Sequence, residues 1–168
     1  MLIPMKVTGL TIDPFTNMPI IILKDMEEKN ALPIWIGLIE ASAIATELEK
    51  VQLSRPMTHD LMKNILNILG VQVQKVEITD LSDNTFFAKI YLLEGKKVQE
   101  IDSRPSDAIA LALRTNAPIF VDKKVMEKSR NVDLSRSGGK EGERKLKEEK
   151  WTEILDNLNP EDFGKYKM

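Results

Sequence analysis

Cysteine is absent from the 168 residues, which excludes disulfides, thiolate nucleophiles and cysteine-ligated zinc or iron–sulfur centres. Histidine occurs once, at position 59, so no multi-histidine metal site can form within one chain. No stretch approaches the roughly 20 apolar residues of a membrane span. The opening Met1-Leu2-Ile3-Pro4-Met5-Lys6 lacks a basic region followed by a long apolar run, so a soluble cytoplasmic protein without a membrane role is expected. A basic excess is also missing. Residues 1–122 carry 12 Lys/Arg against 16 Asp/Glu, a net −4, and residues 123–168 carry the compensating +2. Such a body does not suit tight nonspecific nucleic-acid binding by charge alone, but its carboxylates could hold a divalent cation that bridges to phosphate.

With 42% hydrophobic residues, one domain with an appendage can bury a useful core. Three short apolar runs, within 6–12, 18–24 and 32–36, are separated by turn residues and read as a meander. A helical stripe follows (Ala41, Ile44, Ala45, Leu48, Val51), then a second one (Leu61, Ile65, Ile68, Leu69) ended by Gly70. Residues 71–78 alternate as a strand, Asp83-Asn84 turns into the run 85–92, and Gly95 precedes a strand over 97–101. Residues 108–113 are apolar nearly all round and predict a buried central helix, with a last strand at 117–121. The mixture without regular βαβ alternation predicts an α+β domain: a mixed or antiparallel sheet of short strands packed with about three helices. The domain spans 1–128, a Gly/Ser-containing linker 129–142, and a charged helical tail 143–168.

The most informative feature is a repeated phrase at two expected helix starts. Ser54-Arg55-Pro56 runs into Met57-Thr58-His59-Asp60, and Ser103-Arg104-Pro105 runs into Ser106-Asp107. Proline suits the first helical position, and Ser103 and Asp107 suit capping and the positive end of the dipole. Arginine does not suit that end, where anions are favoured. Each arginine therefore grips an anion such as phosphate or pairs with a carboxylate of the body, such as Glu40 or Asp107. His59 beside Asp60 offers a general base or acid. If the helix starts converge, Glu40, Asp60, Asp102 and Asp107 form a carboxylate cluster able to hold Mg²⁺ or Mn²⁺. Trp35, Phe86, Phe87 and Tyr91 sit in strand patterns and read as core.

The runs Leu32-Pro33-Ile34-Trp35-Ile36-Gly37 with Glu40-Ala41, Arg55-Pro56-Met57-Thr58-His59-Asp60-Leu61, Asp83-Asn84-Thr85-Phe86-Phe87-Ala88 and Ile101 to Ala112 together resemble the bifunctional nuclease family across residues 5–128. The resemblance implies an α+β domain, often a homo-oligomer, with nuclease activity on DNA and RNA as ascribed to plant members.

Two functions follow as expectations. The first is a metal-assisted nuclease acting on DNA and RNA without sequence preference. Its catalytic residues are His59, Asp60 and Asp107, its substrate contacts Arg55, Arg104, Thr58 and Ser106, and its metal ligands Glu40, Asp60, Asp102 and Asp107. The second is a non-catalytic oligomeric module that binds a small anionic ligand or a partner through the same turns.

Overall fold

The computed structural model describes residues 1–136, so the expected tail and residues 137–142 of the expected linker lie outside the described residues. Strands β1 (Leu2–Ile12), β2 (Pro19–Asp25) and β3 (Ala31–Trp35) form one antiparallel meander, and β4 (Val71–Ser82), β5 (Thr85–Glu94) and β6 (Lys97–Ser103) form another. Strand β7 (Ile119–Asp122) joins them, antiparallel to β1 and parallel to β4. The resulting seven-stranded mixed sheet has the order β3-β2-β1-β7-β4-β5-β6. Helices α1 (Leu38–Leu48), α2 (Thr58–Ile68) and α3 (Pro105–Thr115) pack with it, and α4 (Lys123–Arg136) follows β7. The expected α+β class with a mixed sheet is the one observed.

Turn chemistry sets the meanders. Asp83 and Asn84 both have positive φ, 50° and 59°, as a two-residue primed turn requires, and Ser82 pairs with Thr85 across it. Gly70 (φ 69°) ends α2, and Asn116 (φ 55°) ends α3 in the left-handed region.

Helix α3 is the buried centre. Ala108, Ile109, Ala110, Leu111 and Ala112 are essentially inaccessible, and the small residues let α1 and α2 pack closely on either side. Strand residues Ile21, Leu23, Val76, Ile78, Ala88 and Ile90 complete the core. The sheet also buries one charged residue: Glu77 accepts from Tyr91 Oη at 2.8 Å and pairs with Lys75. Burial, then the Glu77 hydrogen bond, pushes the Tyr91 phenol up to about 12.

Three expectations are corrected. Strand β1 begins at Leu2, not Lys6, because Leu2–Met5 pair with β7, a partner distant in sequence. Helix α4 runs on to Arg136, into the segment read as linker. Phe87 is exposed, since it lies on the sheet face opposite the helices, and Trp35 and Phe86 are only half-buried.

Candidate active site

The first turns of α1, α2 and α3 converge. The chain leaves β3 through Trp35-Ile36-Gly37, and Gly37 caps α1 with ordinary extended angles (φ −74°, ψ 163°). Glycine there leaves room for a side chain rather than supplying backbone freedom. A Cβ at position 37 would stand 2.1 Å from Glu40 Oε2, because the Glu40 side chain folds back over the helix start.

At the start of α3, Arg104 is the N-cap and Pro105 the first helical residue. Arg104 Nε donates to Asp107 Oδ2 at 2.8 Å, and its Nη1 donates to Glu40 Oε1 at 2.8 Å. One guanidinium thus ties α1 to α3. The other oxygen of Asp107, Oδ1, lies 3.0 Å from His59 Nε2 in the first turn of α2. The chain Glu40–Arg104–Asp107–His59 therefore spans three helix N-termini. Each N-terminus carries partial positive charge, so their meeting favours an anion and offsets the two carboxylates. With Nε2–H donating to Asp107, a neutral imidazole keeps Nδ1 as its proton acceptor.

The electrostatics agree with this geometry. Burial pushes the Asp107 carboxyl up, but hydrogen bonds from Arg104 and His59 outweigh it and hold the group below the usual carboxylate range. The Arg104 guanidinium is held more firmly protonated, by Asp107 first and Glu40 after it. Its side chain is 65% exposed, and its Nη2 has no partner among the described residues. Arg104 is therefore still open to a ligand.

Beside the chain lies a cleft of about 270 Å³ lined by Trp35, Gly37, Glu40, Phe86, Arg104 and Ser106. It places two aromatic side chains next to an arginine. Ser106, buried at the start of α3, lines the cleft as well. Trp35 is anchored by its Nε1, which donates to Asp13 Oδ2 at 2.9 Å.

The other expected residues go elsewhere. Asp60 does not join His59, because neighbouring helical residues point about 100° apart. Asp60 Oδ2 accepts from Met57 N–H at 2.9 Å, which fixes the α2 cap at Met57 and leaves Pro56 in the preceding loop. Asp60 Oδ1 accepts from Arg114 Nε at 2.7 Å. Burial raises the Asp60 carboxyl, while the Met57 N–H and Arg114 bring it below its ordinary value. Arg55 has no ion pair among the described residues and lines a different cavity. Thr58 opens α2, exposed to solvent. Asp102 stands opposite Lys89 on β5, whose neighbours Ala88 and Ile90 face the core, so Asp102 lies on the sheet face away from the helices. Ser103 does not cap α3; its hydroxyl donates to the Arg104 carbonyl at 2.9 Å.

The four carboxylates expected to share a metal are thus dispersed. Glu40 and Asp107 are bridged by a guanidinium, Asp60 is bound to Arg114, and Asp102 faces away. No group of three or more ligating side chains suited to a metal ion occurs among the described residues. The donor set does not fit a divalent ion, since a cation between Glu40 and Asp107 would have to displace Arg104. Sequence reasoning missed Arg114, although a lone arginine on an apolar helix signals a buried partner. It also missed the role of Gly37, whose only signal was glycine immediately before an acidic first turn.

Among the described residues no helix is long and apolar enough to cross a membrane. The bifunctional nuclease domain matches residues 21–133. An uncharacterized protein of Mycobacterium tuberculosis is 36% identical over 160 residues, covering 94% of this chain and 96% of its own length. Bifunctional nuclease 1 of Arabidopsis thaliana is 32% identical over 110 residues, 62% of this chain and 34% of that protein. The bifunctional nuclease of Oryza minuta is 29% identical over 110 residues, 62% of this chain and 33% of that protein. The chain therefore spans about a third of the plant nucleases it matches. With the matched segment containing all three converging helix starts, the chain belongs to the bifunctional nuclease domain family.

Proposed function

We propose that the protein is a nuclease that hydrolyses phosphodiester bonds of DNA and RNA in the cytoplasm without sequence preference. The observation that carries this reading is the Glu40–Arg104–Asp107–His59 chain across three helix N-termini, beside a cleft with Trp35 and Phe86. A base stacks on an aromatic wall of the cleft, which is tolerant of sequence because every base has a π-face. The adjoining phosphate is drawn to the helix ends and to the open edge of Arg104. His59, oriented by Asp107, takes a proton from the attacking water as oxygen bonds to phosphorus and the P–O bond to the leaving nucleotide breaks. Arg104 offsets the negative charge that develops on the phosphoryl oxygens. Glu40 holds Arg104 in place.

The metal assistance expected from sequence enters no step of this scheme, because Arg104 fills the position between the two available carboxylates. The test is cleavage of plasmid and of RNA by wild type, Arg104→Ala and Asp107→Asn proteins purified in parallel, each with Mg²⁺ and with chelator. Wild-type cleavage in chelator, lost in both variants, is the expected result. Equal cleavage by all three proteins overturns the reading, and wild-type loss on chelation alone returns a cation to the mechanism.

Self-association belongs to the same reading. Helix α2 turns Met62 and Leu66 inward but leaves Leu61, Ile65, Ile68 and Leu69 exposed, a stripe at helical spacing that a second copy can cover. Light scattering of wild type against Leu61→Glu/Ile65→Glu checks it: an oligomer reduced to a monomer is expected.

A further inference from the structure

A second cavity, of about 240 Å³, lies between the end of α1, the loop before α2 and the second half of α3. Its lining includes Ser54, Arg55, Asn64, Asp60 and Arg114, none of which belongs to the chain of contacts around His59. The Arg114 side chain is 3% exposed. Its Nε donates to Asp60 and its Nη1 donates to the Ala110 carbonyl at 2.9 Å, whereas Nη2 has no partner among the described residues. A buried guanidinium edge with unmet donors is costly unless something accepts from it. Arg55, on the rim, likewise has no partner among the described residues.

Charge balance shows what fits. Asp60 is neutralised by Arg114, and Glu47, also in the lining, pairs with Lys50 at 3.0 Å. Arg55 is left as an uncompensated cation, beside the Ser54 hydroxyl and the Asn64 amide as further donors. Guanidinium edges match tetrahedral oxyanions through paired N–H donors. The volume falls below the roughly 300 Å³ at which pockets for drug-sized ligands begin, so a phosphate group with little attached to it is the right scale.

We propose that this cavity is a second oxyanion site, separate from the His59–Asp107 site, which binds a phosphate group between Arg55 and the free edge of Arg114. The proposal does not depend on the nuclease reading, because it requires binding and no bond cleavage. The phosphate belongs either to a free nucleotide or to a nucleic-acid backbone.

The experiment is a site-resolved NMR titration of the full chain with inorganic phosphate, repeated with a nucleoside monophosphate and with an oligonucleotide of non-hydrolysable backbone. Phosphate is expected to shift the backbone amides of Ser54 and Asn64 and the Arg114 Nε–H. Arg55→Ala should weaken those shifts by about tenfold in affinity or more, the scale of one lost charge-assisted contact. Arg55 has no hydrogen bond or ion pair to lose among the described residues, so this variant should fold. Arg104→Ala should leave the same shifts in place. Shifts retained in full by Arg55→Ala, or confined to residues around Arg104, overturn the proposal. So does the absence of any shift at Ser54, Asn64 and Arg114. If the oligonucleotide reproduces the pattern, the site tracks a backbone phosphate; if the monophosphate alone does, it takes a free nucleotide.

Discussion

His59 Nε2 stands 3.0 Å from Asp107 Oδ1, although 48 residues separate them in sequence. The contact closes because the first turn of α2 packs across α3, with His59 on Asp107 in the first turn of α3 and Asp60 on Arg114 in its last. It assigns distinct roles to the two oxygens of Asp107: one orients the imidazole and the other holds Arg104.

Asp107→Asn keeps the shape but replaces a carboxylate oxygen by an amide, which cannot accept from both His59 and Arg104. Cleavage should fall at least about a hundredfold, the usual scale of a general base left in the wrong orientation. His59→Gln should match it. Arg104→Ala should also abolish cleavage while costing about 1 kcal/mol or less in urea unfolding, because the pair is solvent-exposed. A large loss of stability with unchanged activity in the folded fraction would assign the chain of contacts to structure alone.

Asp60 adjoins His59 in sequence but not in the site, and its substitution separates two readings. Asp60→Ala strands the buried Arg114 charge and removes the Met57 N–H acceptor, so unfolding should become easier by about 3 kcal/mol. The folded fraction should still cleave, because Asp60 does not touch the His59–Asp107 chain. Arg114→Met should destabilise too. The double variant should lose less than the two single losses combined by about 1 kcal/mol, as expected for directly bonded partners. A strictly additive double variant would deny the coupling.

Much of this arrangement was legible before any coordinates. Periodicity marked Ala108–Leu113 as the buried helix, and Asp83-Asn84 marked the hairpin, because helical stripes and primed turns are local properties. The repeated Ser-Arg-Pro phrase marked two helix starts without showing whether they meet, and it misled about their equivalence. Pro105 begins α3, whereas Pro56 precedes α2 and leaves Arg55 beside another cavity. The difference comes from Asp60 reaching back to Met57, a choice among caps that composition does not reveal. Asp102 was misjudged for a related reason: its face is fixed by pairing opposite Lys89, a long-range register invisible to spacing.

Position 37 offers a test of the site without touching a polar group. Its backbone angles suit any L-residue, so Gly37→Ala carries no conformational strain. The new methyl group would meet Glu40 Oε2 at 2.1 Å and must push that carboxylate away. Arg104 then loses one of its two anchors while keeping Asp107. Cleavage should drop by about tenfold, one misplaced positioning contact, with the melting temperature nearly unchanged. Glu40→Gln should reproduce the loss, since the amide holds Arg104 less firmly. Activity unchanged in Gly37→Ala would remove Glu40 from the machinery.

Acid sensitivity follows from depressed carboxyls, two of which, Asp107 and Asp60, belong to the contacts between α2 and α3. Asp107 is held down by Arg104 and His59 against the opposing pull of burial, and Asp60 by Met57 N–H and Arg114 against the same pull. Both therefore ionise more readily folded than unfolded. As pH falls through about 4, the unfolded chain takes up these protons first, so the equilibrium shifts toward unfolding. The stabilisation is complete above that range and is lost below it, as the folded carboxyls protonate in turn. Urea midpoints measured from pH 7 down to pH 3 should fall steeply at the acid end. Asp107→Asn should flatten that slope and Asp60→Asn should flatten it again, because each removes one linked proton. An acid slope unaltered by either substitution would mean that other carboxylates dominate and that these two are not held in their ionised forms by the contacts seen here.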